Sequence, residues 1–374
     1  MSLLFSPLSV RDITIKNRLW VSPMCQYSAV DGIPNDWHHV HLAQFASGGA
    51  GLVMTEATAV LPEGRIAPGD TGMWNDEQRD AWRPIVDAIH ARGATAGMQL
   101  SHAGRKSSIW WPFSGRSGSI PIDEGGWPTE APNSIAYDDE HRAPEAMSAQ
   151  RIGDVVASFA AAARRAVDAG FDLIEVHAAH GYLLHQFLSP LTNQRTDDWG
   201  GSAERRARLV LDIVRAIRAE VGETVPVFVR FSATDSAPGG LQTADVATAA
   251  GWAREAGADL FDITTSGLVK NQQITVFPGY QVTHAAEIRQ AIGAPTTAVG
   301  VITTGTQAEA ILQAGDADAI FAAREFLRDP HFALRAAVEL GEDPDGIWPP
   351  QYLRAYRPRA KTNSPVQEPV GSTA

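Results

Sequence analysis

Eight short apolar runs, each followed by a longer stretch with helical spacing of its apolar residues, repeat along this chain from about residue 17. Such alternation predicts strand–helix units, whose strands lie parallel in one sheet. The predicted strands are residues 18–24, 51–57, 95–100, 172–177, 225–231, 260–265, 296–300 and 319–323. The predicted helices include residues 75–92, 149–169, 203–221, 242–256, 306–313 and 330–340. Eight units are the number that closes into a (β/α)8 TIM barrel of the α/β class. A doubly wound open sheet is the alternative, and the barrel is favoured because polar residues follow many strands rather than one crevice.

Three segments depart from this rhythm. Residues 8–15 alternate apolar and polar side chains on either side of Arg11-Asp12, which predicts an N-terminal β-hairpin that plugs the lower end of the barrel. Residues 103–147, after the third strand, are too long for an ordinary connection, and their tryptophans favour a lid or a subdomain over disorder. Residues 361–374 lack apolar periodicity and are expected to form a flexible tail, so the predicted single barrel domain covers residues 1–360.

The net charge limits the expected binding partners of the protein, and the cysteine content limits its expected cellular compartment. A formal net charge of -12 at neutral pH argues against nucleic acid or an anionic membrane as the main partner. The single cysteine, Cys25, excludes an intrachain disulfide and fits a reducing compartment. The first residues show neither a secretory signal nor a membrane span, which makes the cytoplasm the expected location.

The densest group of reactive residue types follows the fourth predicted strand, in the run Asp172-Leu-Ile-Glu-Val-His177-Ala-Ala-His180-Gly-Tyr182. If the chain turns helically after the strand, His177 and His180 share a face, and Tyr182 lies beside them. Imidazoles can hold a substrate oxygen and a phenol can deliver a proton, so this run predicts a reaction site at a strand end. A zinc site is not expected, because no third ligand stands at the required spacing.

Four motifs occur in a specific order along the chain. They are Pro23-Met24-Cys25 with Tyr27, Gln99 with His102-Ala-Gly-Arg105, the run from His177 to Tyr182, and Asn193-Gln-Arg-Thr-Asp-Asp-Trp-Gly-Gly201. Together they resemble the Old Yellow Enzyme family of flavin-dependent ene-reductases, over residues 4–357. Cys25 followed by Tyr27 is similar to the thermophilic-like branch, which includes xenobiotic reductases. The resemblance implies an enzyme that binds FMN without a covalent bond, oxidises NADPH or NADH, and reduces activated C=C bonds of unsaturated carbonyl and nitro compounds.

The resemblance also implies a role for each matching residue. His177 and His180 donate hydrogen bonds to the substrate oxygen, and Tyr182 protonates the α-carbon after hydride transfer from flavin N5. Tyr27 lines the substrate pocket, and Arg354 enters the pocket of a neighbouring subunit, so a homo-oligomer is expected. The residues implied at the flavin are Ser22, Pro23, Met24, Cys25, Ala57, Gln99, Arg230, Gly300, Ala323 and Arg324.

Among these flavin residues, Gln99 and Arg230 are implied at the polar edge of the ring, and Cys25 near N5. Gly300 and the pair Ala323-Arg324 follow the seventh and eighth strands, where barrels commonly bind phosphate. Ala323 stands where the family usually has glycine, which puts a methyl group near the expected phosphate.

Two other functions remain open for a barrel of this kind. A Schiff-base aldolase needs a lysine at a strand end, and the available lysines are Lys16, Lys106, Lys270 and Lys361. A non-catalytic flavin-binding protein would keep the cofactor residues without turnover. A dienoyl-CoA or trimethylamine-type reductase is excluded, because one cysteine cannot hold an iron–sulfur cluster.

Overall fold

The computed structural model describes residues 2–356. Its strands are β1 (Leu8–Val10), β2 (Ile13–Ile15), β3 (Leu19–Val21), β4 (Leu52–Ala59), β5 (Thr95–Ser101), β6 (Glu130–Ala131), β7 (Glu145–Ala146), β8 (Leu173–Ala178), β9 (Val227–Ser232), β10 (Leu260–Thr264), β11 (Thr296–Ala298) and β12 (Ala319–Ala322). Its α-helices are α1 (Asp36–Ser47), α2 (Asp76–His90), α3 (Ala149–Ala169), α4 (Leu183–Leu188), α5 (Ala203–Val221), α6 (Thr243–Glu255), α7 (Val282–Ile292), α8 (Gly305–Gln313), α9 (Arg324–Arg328), α10 (Phe332–Glu339) and α11 (Leu353–Tyr356).

Eight of these strands close into a parallel barrel in the order β3-β4-β5-β8-β9-β10-β11-β12, and β12 pairs with β3 to complete the ring. Each predicted strand corresponds to one barrel strand, so the TIM barrel is confirmed and the open-sheet alternative is wrong. The predicted domain boundary at residue 360 and the predicted tail, residues 361–374, lie outside the described residues. No helix between residues 2 and 356 has the length and apolar character that crossing a bilayer requires.

The N-terminal hairpin closes one end of the barrel. Strands β1 and β2 pair antiparallel, with Leu8 opposite Ile15 and Val10 opposite Ile13. Val10 and Ile15 are buried in one apolar cluster with the first residues of four barrel strands, namely Leu52, Leu173, Leu260 and Ala319. Since the first residues of parallel strands lie at the lower end, the hairpin plugs that end, as predicted.

Side chains alternate along each barrel strand between the outer helices and the barrel interior. In β8, Ile174 and Val176 belong to the outer core, whereas Leu173 belongs to the interior cluster. Glu175 and His177 share the inward face with Leu173 because successive side chains point to opposite faces. The interior therefore changes from apolar at the floor, to charged in the middle, to imidazole at the open end.

The helices that cover the barrel begin and end at capping residues. Helix α3 begins after Ser148, whose side chain accepts a hydrogen bond from a backbone N–H of the first turn, and it ends at Gly170 with φ of 101°. Its buried face, including Ile152 and Phe159, belongs to the core between the strands and the helices. This covering layer holds the strands so that their C-terminal ends present a defined set of side chains.

Residues 103–147, the long connection after β5, are ordered by specific contacts. Strands β6 and β7 pair within this segment, and Trp127 Nε1 donates to the carbonyl oxygen of Glu63 at 2.9 Å. Glu130 of β6 lies 3.0 Å from Nε2 of His102, at the end of β5. The ring of Phe113 lies 6.2 Å from that of Tyr27 in an edge-on arrangement. This connection is therefore folded, and part of it lies at the open end of the barrel.

Candidate active site

Three aromatic side chains meet where β8 ends at the open end of the barrel. The ring centroids of His177 and His180 lie 5.2 Å apart at 87°, and those of His177 and Tyr182 lie 5.1 Å apart at 79°. Nε2 of His180 also lies 3.1 Å from the hydroxyl of Thr264, at the end of β10. The structure therefore places side by side the three residues that the sequence singled out.

The turn that carries these rings is held by hydrogen bonds from other elements. His180 has φ of 57°, and its backbone N–H donates to Ser232 Oγ at 3.0 Å. The N–H of Gly181 donates to Nδ1 of His185 at 2.9 Å, and Nε2 of His185 lies 2.7 Å from Asp235 Oδ1. Because Nδ1 accepts, the ring proton on Nε2 faces Asp235. This buried pair fixes the backbone directly after His180.

Gly181 is required at the centre of this turn by conformation and by space. Its φ is +73°, and a Cβ there would lie 2.2 Å from the carbonyl oxygen of Gly267. The ammonium of Lys106 donates to that same carbonyl at 3.0 Å and to the carbonyl of His180 at 2.9 Å. From the sequence, Lys106 is only one of four lysines, because its role depends on contacts with residues far along the chain.

Both imidazoles at the open end are neutral. Burial lowers the pKa of His177 and of His180 well below the usual range, and the positive charge of Arg230 lowers them further. Nδ1 of His177 accepts from the backbone N–H of Ala179 at 3.3 Å, which leaves the ring proton on Nε2. His177 can therefore act as a hydrogen-bond donor through Nε2 without carrying a charge.

The phenol beside them keeps its proton. Burial, and then the neighbouring Cys25 and Tyr27, raise the pKa of Tyr182 well above its usual value. The ammonium of Lys106 lies 4.9 Å from the centroid of the Tyr182 ring. Burial, and then Arg105, lower the pKa of Lys106 to about 8, so this lysine is mainly charged at neutral pH. A cation thus faces a protonated phenol.

Residues that follow β3 and β4 form another part of the rim at the open end of the barrel. Cys25, Tyr27 and Tyr182 pack against an apolar cluster that contains Ala57 and Ile66. Burial, and then nearby carboxylates, raise the pKa of the Cys25 thiol well above its usual value. Burial, and then the neighbouring Cys25, raise the pKa of the Tyr27 phenol as well. This rim therefore offers two protonated, uncharged groups next to Tyr182.

A charged layer lies below the open end, inside the barrel. Nε2 of Gln99 donates to Glu175 Oε1 at 2.8 Å, and Nε of Arg230 lies 2.9 Å from Asp262 Oδ2. All four side chains are buried. Glu175 and Asp262 were not predicted as site residues, although a charged residue within an apolar strand, the signal that indicated Arg230, is present at both positions.

A cavity of about 240 Å³ opens beside the ends of β11 and β12. It is lined by Gly300, Ala323, Arg324 and Arg328, among others. Gly300 has φ of +114°, and a Cβ there would lie 3.1 Å from the ring of Tyr280, so glycine keeps this wall open. Within residues 2–356, no carboxylate oxygen lies within 4.0 Å of the Arg324 guanidinium, whereas Arg328 pairs with a neighbouring glutamate. Arg324 therefore suits an external anion.

The sequence profile of the NADH:flavin oxidoreductase / NADH oxidase family matches residues 3–343. The chain belongs to this family. The NADPH dehydrogenase of Listeria welshimeri is 48% identical over 359 residues, which cover 96% of this chain and 100% of the relative. Morphinone reductase in complex with tetrahydroNAD aligns with a TM-score of 0.75 and 28% identity, over 92% of this chain and 94% of that one. The old yellow enzyme homologue from Zymomonas mobilis aligns with a TM-score of 0.74 and 27% identity, over 93% and 97% of the two chains.

These similarities confirm the Old Yellow Enzyme resemblance. The protein is an enzyme, a flavin oxidoreductase of the NADPH dehydrogenase type, with FMN as cofactor and a nicotinamide as reductant. The aldolase and the non-catalytic alternatives are thereby set aside. Assignment to the thermophilic-like branch stays a prediction.

The residues at the open end fit the cofactor of this NADH:flavin oxidoreductase family. The Ser22 hydroxyl is buried and has no hydrogen-bond partner within the described part of the chain. Buried polar groups of Gln99 and Arg230 provide donors for a polar ring edge. Arg324 and the adjoining cavity provide a cation and space for a phosphate. This donor set matches a ring with one polar edge that carries a phosphate at the far end.

The remaining predicted site residues lie in different places. Pro23 and Met24 follow β3 and are half-buried, and Ala57 lies where the pairing of β4 with β5 shifts by a bulge. Arg354 is exposed on α11 and is not brought to this chain's own site. Its neighbour Tyr352 lines a hollow beside α10 that contains none of the predicted flavin or substrate residues.

Proposed function

We propose that this enzyme reduces the activated C=C bond of α,β-unsaturated carbonyl compounds, and acts on nitro compounds as well. The observation that carries the proposal is the group of two neutral imidazoles and one protonated phenol, with ring centroids about 5 Å apart, at the open end of the barrel. When bound, FMN supplies the hydride at its N5 after reduction by the nicotinamide. The protein residues supply the donors and the proton described below.

His177 and His180 hold the substrate oxygen. Nε2 of His177 carries its proton and makes no hydrogen bond within residues 2–356, so it is available to a carbonyl or nitro oxygen. That oxygen gains negative charge as the β-carbon is reduced, and a fixed donor therefore stabilises the transition state more than the bound substrate. Removal of one such donor costs about 10²–10³ in rate in comparable sites.

Tyr182 acts as the general acid that protonates the α-carbon. Its raised pKa keeps the phenolic proton in place until the carbon has gained negative charge. The Lys106 ammonium, 4.9 Å from the ring centroid, stabilises the phenolate left after the transfer. Lys106 thereby supports the acid although it donates its hydrogen bonds to backbone carbonyls.

The cofactor is held in three places along the barrel rim. Ser22, Pro23, Met24, Cys25 and Ala57 would contact the ring from β3 and β4. Gln99 and Arg230 would bind its polar edge, where a fixed guanidinium favours added negative charge. Gly300, Ala323 and Arg324 would bind the phosphate.

Substrate recognition extends beyond the imidazoles. Tyr27, half-buried beside Tyr182, would line the pocket, and Arg354 of a second copy would enter it in a homo-oligomer. The exposed position of Arg354, away from its own site, supports a role in another subunit. We also propose that residues 1–360 form one barrel domain.

Reconstitution with FMN tests the proposal. The purified protein should be yellow, should bleach with NADPH without oxygen, and should recolour on addition of cyclohexenone. The double variant His177→Ala/His180→Ala should retain FMN and bleaching by NADPH but lose at least about 10²-fold in cyclohexenone turnover. Glu204→Gln, an exposed change on α5, should behave as wild type. Cyclohexenone turnover equal to wild type in the double variant would refute the assigned role of the imidazoles.

A further inference from the structure

Five neighbouring barrel strands each direct one polar side chain into the charged layer below the open end. These are Gln99 of β5, Glu175 of β8, Arg230 of β9, Asp262 of β10 and Thr297 of β11. In the strand register, Gln99 stands beside Glu175, and Asp262 stands beside both Arg230 and Thr297. This buried layer therefore contains two carboxyl groups and one guanidinium, and the guanidinium pairs with Asp262.

Each carboxyl group of this layer has one oxygen without a hydrogen bond, and that of Asp262 has a cation beside it. Asp262 accepts from the Thr297 hydroxyl through Oδ1 at 2.7 Å, and its Oδ2 lies 2.9 Å from Arg230 Nε. That last pair is within ion-pair distance, but its angles do not make a hydrogen bond. Glu175 accepts from Gln99 through Oε1, while its Oε2 is buried without a partner among residues 2–356. A bare, buried carboxylate oxygen is costly, and a proton on it removes much of that cost.

The charges around Glu175 favour such a proton. Gln99 on one side is uncharged, and His177, two residues along the same strand, is neutral. Arg230 is the cation facing this layer and already pairs with Asp262. Burial, and then the charge of Asp262, raise the pKa of Glu175 to about 8, and burial also raises the pKa of Asp262. The proton is therefore expected on Glu175 at neutral pH, beside the charged pair of Arg230 and Asp262.

We infer that Glu175, together with Asp262, is a proton-holding site coupled to the cofactor: in alkaline solution its carboxylate takes up one proton when FMN is reduced. The inference rests on the proposed contact of Gln99 and Arg230 with the polar edge of FMN. The nicotinamide supplies two electrons and one proton as hydride. The polar edge of the reduced flavin would carry a negative charge. That charge would attract the Arg230 guanidinium and would disfavour a negative charge on Glu175. The additional proton comes from solvent, forms an O–H bond on the carboxyl group, and nothing leaves. Glu175 therefore acts through the residues around the flavin, and it determines how many protons the enzyme takes up when FMN is reduced.

The reduction potential of the FMN-loaded enzyme, measured from about pH 6.5 to about pH 9.5, tests this inference. Below about pH 8, the enzyme should take up one proton for every two electrons. Above about pH 8, it should take up two protons for every two electrons. The slope should therefore steepen by about 30 mV per pH unit, the constant for a tenfold change in a two-electron equilibrium. Glu175→Gln keeps the acceptor oxygen for Gln99 and should show the same slope at every pH. Glu204→Gln, an exposed control, should keep the wild-type break.

Two further measurements do not require the Glu175→Gln variant to hold FMN. In the wild type at about pH 9, the infrared difference spectrum of reduction should contain a new band of a protonated carboxyl group. In Asp262→Asn, loss of the neighbouring charge should move the break in slope to lower pH. A wild-type potential without a break, or a spectrum without that band, overturns the inference while the proposed function stands. A protein that binds no FMN would overturn the proposed function instead.

The FMN-free protein provides a separate check on the proton. Since the folded-state pKa of Glu175 is raised above its unfolded value of about 4.3, the folded chain binds more protons than the unfolded chain between these two values. The contribution of the protonated Glu175 to the unfolding free energy is complete below about pH 4.3 and is lost as the pH rises through about 8. The difference in unfolding free energy between wild type and Glu175→Gln should therefore change between about pH 5 and about pH 8. An equal difference at both pH values would overturn the inference without reference to FMN.

Discussion

Gly181→Ala tests whether the turn after β8 positions the acid and the donors. The first cost is conformational, because an alanine at a left-handed φ such as +73° is about 1–2 kcal/mol less favourable than glycine. The second is steric, because the new Cβ would lie 2.2 Å from the carbonyl oxygen of Gly267. That carbonyl is held by Lys106 at 3.0 Å, so relief of the contact requires movement of the turn by about 1 Å. A misplacement of about 1 Å costs on the order of 10²-fold in rate.

Gly315→Ala is the matched control for this change. Gly315 has φ of +75°, and a Cβ there would meet no atom within 4 Å. Gly315→Ala should therefore lose about 1–2 kcal/mol in urea unfolding and Gly181→Ala at least as much, whereas only Gly181→Ala should lose about 10²-fold in enone turnover. Bleaching of bound FMN by NADPH should persist in both. If the two variants turn over an enone at similar rates, the turn does not position the reacting groups.

Three other changes probe separate parts of the molecule. Phe159→Ala on the buried face of α3 should cost about 3–5 kcal/mol in urea unfolding, and a loss below about 1 kcal/mol would contradict its place in the core. Arg324→Ala should weaken FMN binding at least about tenfold in a fluorescence titration and leave riboflavin binding unchanged, because only FMN carries the phosphate. Although burial alone acts in the opposite direction, hydrogen bonds from His102 and Arg151 lower the pKa of Glu130 to about 2. This group therefore contributes at most about 3 kcal/mol, present above about pH 4.3 and lost as the pH falls through about 2, so the unfolding curves of wild type and Glu130→Gln should converge in acid.

The barrel could be predicted from the sequence because its strands are continuous apolar runs bounded by turns. The ends of the strands are harder to predict. The predicted strand 18–24, for example, extends only from Leu19 to Val21 in the structure. The chain leaves the ladder there, just before Pro23, which lacks the N–H that a further rung needs. Helix α7 was absent from the predicted helices, because its buried face contains only Ala285 and Ile288 and gives a weak apolar period.

The site was predictable where its residues are close in sequence. His177, His180 and Tyr182 fall within six residues, and one turn brings them together. The role of Lys106 depends on contacts with residues that are distant along the chain, which no local pattern reveals. Local charge within an apolar strand could have indicated Asp262, but the Arg230 partner appears only when the barrel closes.

The apolar floor formed by the hairpin and the first strand residues leaves the barrel with a single entrance. Trp20 and Phe228, stacked with centroids 6.2 Å apart, fill the interior above the hairpin. Reductant and substrate would consequently approach a bound flavin from the same open end of the barrel. We expect them to compete for this shared approach, so that an excess of either one slows turnover.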